Sequence, residues 1–268
     1  MPDYFTDFTG TRHTPAGNNP RIISLVPSLT ELLFELDLAD QVVGRTNFCV
    51  HPAEQVKHIQ AIGGTKKINT GKVKSLTPTH AVVNIDETPK ELAEELTALG
   101  LDVIVTHPGC PDDNPALFRL FGGIFNRPER AKELCIRYDE AIRELQKNTF
   151  PPRKVLYLIW QDPWMTVSSD TYISKALGLV GWQTVSHDSE IRYPAVELTA
   201  NLLRTVDIVL FSSEPFPFQQ KHITEFHRAF PEFDGKSVII DAEMVSWYGS
   251  RAIPGLSYLT DFAKNLTS

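Results

Sequence analysis

Short apolar runs alternate with helical patterns along most of the chain. Residues 22–26 form a buried-strand run, and Leu29, Leu32, Leu33 and Leu36 then recur at helical spacing. The same pairing of a short apolar run with an amphipathic segment predicts further strands at 41–45, 81–84, 102–106, 154–159 and 236–241. Near-continuous apolar strands separated by helices are typical of parallel sheets covered on both faces. The pattern therefore predicts an α/β fold.

A long helix is predicted midway along the chain, from Asn126 to Thr149. Asn126 is a suitable N-cap and Pro128 suits the first turn. Spacings of three and four place the apolar residues on one stripe, which consists of Ala131, Leu134, Cys135, Tyr138, Ile142 and Leu145. Such a helix is long enough to brace two lobes.

The order of strands and helices before this helix is repeated after it. The run 154–159 resembles 21–26, and 236–241 resembles 101–106, without close identity. We therefore expect an irregular arm at 1–19, an α/β lobe at 20–126, a linking helix at 127–150 and a second α/β lobe at 151–268.

Composition excludes several classes of protein. The chain of 268 residues carries a net charge of −7 and no run of basic residues, so nucleic acid is not expected as a partner. Its three cysteines are an odd number and cannot all pair with one another, so the sequence does not indicate a fold built on disulfides. No apolar run is long enough to span a membrane. Residues 1–19 lack the apolar core of a secretory signal, which predicts a cytoplasmic protein if Met1 is the true start.

Aromatic residues are concentrated in the loops that follow the strands of the second half. Ligands of open parallel sheets lie beyond the carboxyl ends of the strands. Three of the four tryptophans fall in these loops, together with a tyrosine and two phenylalanines: Trp160, Trp164, Phe216, Phe218, Trp247 and Tyr248. The alternative is that each ring fills the core beneath its loop. Together they favour a site for a large flat ligand.

Several motifs resemble a known family. The residues 21–34, Arg-Ile-Ile-Ser-Leu-Val-Pro-Ser-Leu-Thr-Glu-Leu-Leu-Phe, are followed by Val-Val-Gly-Arg-Thr at 42–46, His51-Pro52 and Gly63-Gly64-Thr65. This opening is similar to that of the class III periplasmic binding proteins, the helical-backbone receptors that deliver cobalamin, iron-siderophores, haem or metal ions to ABC importers. The likeness extends over about residues 20–265 and is greatest to the cobalamin-binding branch.

The resemblance implies two Rossmann-like lobes with parallel sheets, joined by a single long backbone helix, with the ligand cleft between the lobes. It implies a monomeric, non-enzymatic and periplasmic binding protein with no cofactor of its own, whose ligand is a corrinoid or another large cobalt or iron chelate. An ABC permease is the implied protein partner. Gln60 and Thr199 stand where the family usually presents a glutamate to the permease, with Glu197 displaced from the second position.

The candidate ligand contacts combine these loops with that resemblance. Where cobalamin receptors have an aspartate and an aromatic residue after the last strand, this chain has Glu243 and Met244. The predicted ligand-binding residues are Phe48, Trp160, Trp164, Arg192, Tyr193, Phe216, Glu243, Trp247, Tyr248 and Arg251. The aromatic rings would stack on the ligand, and the charged groups would meet its polar edges. Arg251 equally suits a surface ion pair.

Two alternatives come from other classes. Cys49 and His51, with His107 and Cys110, lie on two loops that follow strands, so they are candidates for zinc ligands in a direct metal-binding protein. A cytoplasmic enzyme or carrier on the same fold is the second alternative, with Asp162, Asp241 and Glu243 as candidate acids. The chain has no nucleophile elbow, P-loop, dinucleotide fingerprint or zinc-protease motif.

Overall fold

The computed structural model describes residues 4–185 and 191–267, with the side chain of residue 267 excepted. The chain divides into two units. Unit 1 contains residues 1–108, 112–139 and 248–251, and unit 2 contains 109–111, 140–247 and 252–268. In the part of the chain that the structure describes, each unit has one parallel sheet. The predicted α/β class with two parallel sheets is confirmed.

Unit 1 is built on a five-stranded parallel sheet with the order β5-β4-β3-β6-β7. Its strands after an N-terminal hairpin, β1 (Phe5–Thr6) and β2 (Arg12–His13), are β3 (Ile22–Ser24), β4 (Val42–Thr46), β5 (Gln60–Gly63), β6 (His80–Asn84) and β7 (Asp102–Thr106). Its helices are α1 (Pro27–Glu35), α2 (Ala53–Val56), α3 (Thr70–Leu76), α4 (Lys90–Ala98) and α5 (Asn114–Ile124). Every residue of β6 is buried, as the apolar run predicts.

Both faces of this sheet are covered. Ile23, Ala81 and Val83 belong to a core cluster with residues of α3 and α4. Ile22, Val82 and Ile104 are completely buried although they do not belong to that cluster, so the opposite face is covered as well. Helices on both faces leave the carboxyl edge of the sheet for the connecting loops.

Unit 2 contains a four-stranded parallel sheet with the order β11-β10-β8-β9. The strands are β8 (Arg153–Leu158), β9 (Trp182–Thr184), β10 (Ile208–Ser212) and β11 (Lys236–Ile240). The helices are α7 (Tyr172–Gly178), α8 (Ala200–Leu203), α9 (Gln220–Ala229), α10 (Ala242–Ser246) and α11 (Ala252–Thr267). Leu156, Leu158, Val209 and Phe211 form the centre of an apolar cluster that is completed by α8 and α9.

The long helix α6 runs from Pro128 to Gln146. Ala131, Leu134, Cys135, Tyr138 and Leu145 of the predicted stripe are buried. Residues up to Asp139 group with unit 1, and those from Glu140 onward group with unit 2. No helix among the described residues has the length and apolar character of a membrane span.

The predicted N-cap of α6 was wrong. Asn126 has a φ of 56° and closes the preceding helix α5 instead. Arg127 N donates to Gly122 O at 2.6 Å and Asn126 N donates to Gly123 O at 3.4 Å, the two hydrogen bonds of a Schellman motif. Asparagine tolerates the left-handed conformation, so the same residue type suits either end of a helix.

The predicted irregular arm contains the β1–β2 hairpin, which is held to unit 1. The imidazole of His13 is buried, with Nδ1 2.6 Å from Asp102 Oδ1 and Nε2 3.2 Å from Asp7 Oδ2. Asp7 Oδ2 accepts from Val105 N at 3.0 Å. Phe8 N donates to Val105 O at 3.1 Å. These contacts tie the hairpin to the edge strand β7.

Candidate functional site

The carboxyl edge of the unit 1 sheet exposes large apolar side chains. Phe48 follows β4 and is 60% exposed, and Val50 on the same loop is 46% exposed. Ile85, which directly follows β6, is 48% exposed. Phe48 N donates to Thr46 Oγ1 at 3.3 Å, which fixes the start of the loop. Apolar surface of this kind at a strand-end edge is a candidate ligand contact.

Val50 and Ile85 were missed in the sequence. Their only sequence signal is a position within four residues of a strand's carboxyl end, and neither is aromatic, charged or metal-ligating. An aliphatic side chain after a strand is more often part of the core, so exposure is what distinguishes these two.

A short segment between α10 and α11 completes the carboxyl edge of the unit 1 sheet. Residues Tyr248–Arg251 group with unit 1 although their neighbours on both sides belong to unit 2. Gly249 N donates to Asn114 Oδ1 at 2.6 Å, and Gly249 has a φ of 84°, which glycine adopts without strain. Tyr248 is buried, and its hydroxyl donates to Glu87 Oε1 at 3.3 Å. Burial and the Glu87 carboxylate raise the pKa of Tyr248, so its phenol stays protonated.

Arg251 is engaged within the protein. Its Nε lies 2.8 Å from Glu31 Oε2, and the two side chains are only 12% and 20% exposed. Burial raises the pKa of Glu31 and outweighs the opposing effect of Arg251 and His51. The structure therefore favours the ion-pair interpretation of Arg251. Its guanidinium attaches the 248–251 segment to Glu31 of α1.

The carboxyl edge of the unit 2 sheet carries the predicted tryptophans. Trp160 follows β8 and is 40% exposed, and its ring meets Phe216 edge to face with centroids 5.6 Å apart. Trp247 is buried, and its Nε1 donates to Glu214 Oε1 at 2.7 Å. Glu214, which follows β10, orients the indole and was not selected from the sequence. Ile191, 54% exposed, adds a further apolar side chain to unit 2.

Trp164 has a different environment from Trp160. Its ring stacks on the buried Phe218 with an interplanar angle of 7° and centroids 6.0 Å apart, and meets Phe211 edge to face. One face of the indole is therefore covered by the core cluster of unit 2. For one face of the Trp164 ring, this agrees with the alternative that the loop aromatics pack into the core rather than against a ligand.

The remaining predicted contacts are half-buried polar residues of unit 2. Arg192 Nη1 lies 3.3 Å from Asp170 Oδ2 and donates to Asp170 O at 3.2 Å. Tyr193 follows Arg192 in the same loop, and Glu243 lies in the first turn of α10. Both predicted arginines thus face a carboxylate of their own unit, and the edges are rich in acidic groups.

The zinc interpretation is not supported. Within the described part of the chain, no three His, Cys, Asp or Glu side chains come together as a possible metal site. Cys49 is 1% exposed and lies 3.0 Å and 3.1 Å from the hydroxyls of Thr30 and Thr46. Burial raises its pKa, which opposes the thiolate that zinc requires. His107 lies 3.4 Å from Asp86. Cys49, His51, His107 and Cys110 therefore do not form the predicted site.

Solved structures share this fold. The superposition on the periplasmic vitamin B12-binding protein of Vibrio cholerae covers 92% of this chain and 98% of that chain, with a TM-score of 0.77 and 19% sequence identity. The superposition on a periplasmic heme-binding protein from Roseiflexus covers 94% of this chain and 100% of that chain, with a TM-score of 0.78 and 19% sequence identity. At this identity the likeness establishes the fold alone.

Sequence comparison gives the family. The vitamin B12-binding protein of Photorhabdus laumondii is 23% identical over 194 residues, which are 72% of this chain and 70% of that protein. The resemblance inferred from the motifs at 21–65 is confirmed. A family model described as periplasmic binding protein matches residues 22–233, and the chain belongs to this family of substrate-binding proteins.

Proposed function

We propose that this protein binds a corrinoid and delivers it to an ABC-type importer. The observation that carries the proposal is the position of its exposed apolar side chains. Four of the eight large hydrophobic side chains exposed among the described residues lie within four residues of a parallel strand's carboxyl end: Phe48, Val50, Ile85 and Trp160. Apolar surface at these edges suits a large macrocycle. Relatives named as vitamin B12-binding proteins support this ligand class.

The charges at the two edges favour a corrinoid over haem. Haem carries two propionates, which need cationic partners, whereas the periphery of a corrinoid bears mainly amide groups that donate hydrogen bonds to carboxylates. Arg251 faces Glu31 and Arg192 faces Asp170, so each predicted arginine already meets an acid. Glu87, Glu214 and Glu243 add further acceptors at the edges.

Replacing the exposed rings tests these edges one unit at a time. We expect Phe48→Ala and Trp160→Ala each to weaken cyanocobalamin binding by about tenfold or more, because each removes a large apolar contact. Tyr4→Ala is the matched control, since Tyr4 is 44% exposed but lies in the N-terminal segment. Isothermal titration calorimetry measures the affinities of the wild type and the three variants. Equal affinities in the wild type and both edge variants would refute the assignment of these edges.

A further inference from the structure

Unit 2 has a surface cavity that includes Trp164 but none of the four exposed side chains that carry the corrinoid proposal. Its volume is about 530 Å³, which is within the range of small-ligand sites. Residues from the loop after β8, from the segment 195–198 and from the end of α9 line it: Asp162, Pro163, Trp164, Ala195, Val196, Glu197, Leu198 and Phe230. The residues replaced to test corrinoid binding are not among them.

Two aromatic rings contribute to the walls of this cavity. Phe218 stacks on one face of Trp164 and holds the indole in place. Phe230 packs against Phe226, with ring centroids 5.2 Å apart. Both wall rings are therefore supported from the core of unit 2, and both remain half-buried rather than sealed. Rings fixed in this way present π surface to a ligand without a large cost in side-chain entropy.

The polar part of the lining is anionic. Asp162 and Glu197 are both exposed carboxylates. Neither has a hydrogen bond or ion pair with another described residue. No Lys, Arg or His belongs to the described lining. Negative charge beside aromatic rings attracts organic cations through both Coulomb and cation–π interactions.

We propose that this cavity binds an alkylammonium ion, of which a trimethylammonium group is the best-matched form. The methyl groups pack against Trp164, Phe230 and the aliphatic lining, while the positive charge lies near Asp162 and Glu197. A quaternary ammonium suits this lining better than a primary one, because it is weakly hydrated and needs no hydrogen-bond acceptor. The cavity shares the loop after β8 with Trp160 but does not include Trp160 itself, and the inference does not depend on the proposed function.

Choline and its uncharged carbon isostere, in which a tert-butyl group replaces trimethylammonium, provide the test. Titration calorimetry on the full chain is expected to give choline binding at least about tenfold tighter than the isostere. Glu197→Gln and Asp162→Asn each weaken choline binding about threefold or more without changing cyanocobalamin affinity. Glu225→Gln is the matched control, because Glu225 is an exposed carboxylate of α9 outside the cavity lining.

Three results would overturn the proposal. The first is no heat of binding up to about 10 mM choline, which corresponds to an affinity too weak for a built site. The second is equal affinity for choline and the isostere, because the charge would then contribute nothing. The third is displacement of choline by saturating cyanocobalamin, which would assign the cavity to the corrinoid site.

Discussion

Tyr138→Ala is expected to lower the free energy of unfolding by about 3 kcal/mol, because it removes a buried aromatic side chain and leaves a cavity. Tyr138 is 3% exposed on α6, and its ring meets Phe118 of α5 edge to face with centroids 6.3 Å apart. Chemical denaturation of the wild type and the variant measures the difference.

Ile136→Ala is the control for this prediction, since Ile136 lies on the same helix and is 48% exposed. Its cost is expected to stay below about 1 kcal/mol. Cyanocobalamin affinity should not change in either variant under conditions where both are folded. A cost for Tyr138→Ala no larger than that for Ile136→Ala would show that the stripe on α6 does not stabilise the fold.

His13→Leu is expected to cost about 3 kcal/mol near neutral pH, because it leaves the buried Asp7 carboxylate without its cationic partner. Burial alone would lower the pKa of His13, but hydrogen bonds and charges from Asp7 and Asp102 raise it. Burial would raise the pKa of Asp7, but hydrogen bonds from His13, Thr9 and Val105 lower it to about 2. A second histidine is also close, with His80 Nε2 3.9 Å from Asp102 Oδ2.

These shifts determine how stability depends on pH. The pKa of His13 is raised above 6.5 by folding, so its contribution is complete below about pH 6.5 and is lost as the pH rises through the folded value. The pKa of Asp7 is lowered from 3.8 to about 2, so its contribution is complete above pH 3.8 and is lost as the pH falls through about 2. The hairpin is therefore expected to be most firmly held between these limits.

Denaturation of the wild type and His13→Leu across this pH range provides the measurement. The difference in unfolding free energy should be greatest at mildly acidic pH and should shrink on the alkaline side. His58→Leu is the matched control, because His58 is exposed. A difference that does not vary with pH would contradict an ionised His13 between two carboxylates.

Local patterns were sufficient for most of the fold. The bounds of β7 agree with the predicted strand 102–106, because its apolar centre, 103–105, lies between Gly100 and the loop that begins at His107. The N-terminal hairpin was not predictable, because His13 is held by Asp102, a residue 89 positions later, and Asp7 by Val105. Two-residue strands carry too little periodicity to be recognised.

The candidate site was less predictable than the fold. Sequence position identified the strand-end loops that carry Phe48 and Trp160, which the structure leaves exposed. It did not reveal that Tyr248 and Arg251 group with unit 1, since that depends on long-range contacts with Glu87 and Glu31. Nor did it distinguish Trp164, which stacks on Phe218, from Trp160. Which partner a side chain finds is set by tertiary packing rather than by local pattern.

Equilibrium competition between cyanocobalamin and haemin for the full chain tests the central claim most directly. The acid-rich, apolar edges are expected to bind cyanocobalamin at least about a hundredfold more tightly than haemin, since the haemin propionates would face carboxylates. Equilibrium dialysis with absorbance detection gives both affinities. Tighter binding of haemin, or no binding of cyanocobalamin at micromolar concentration, would contradict the assignment of a corrinoid as the ligand.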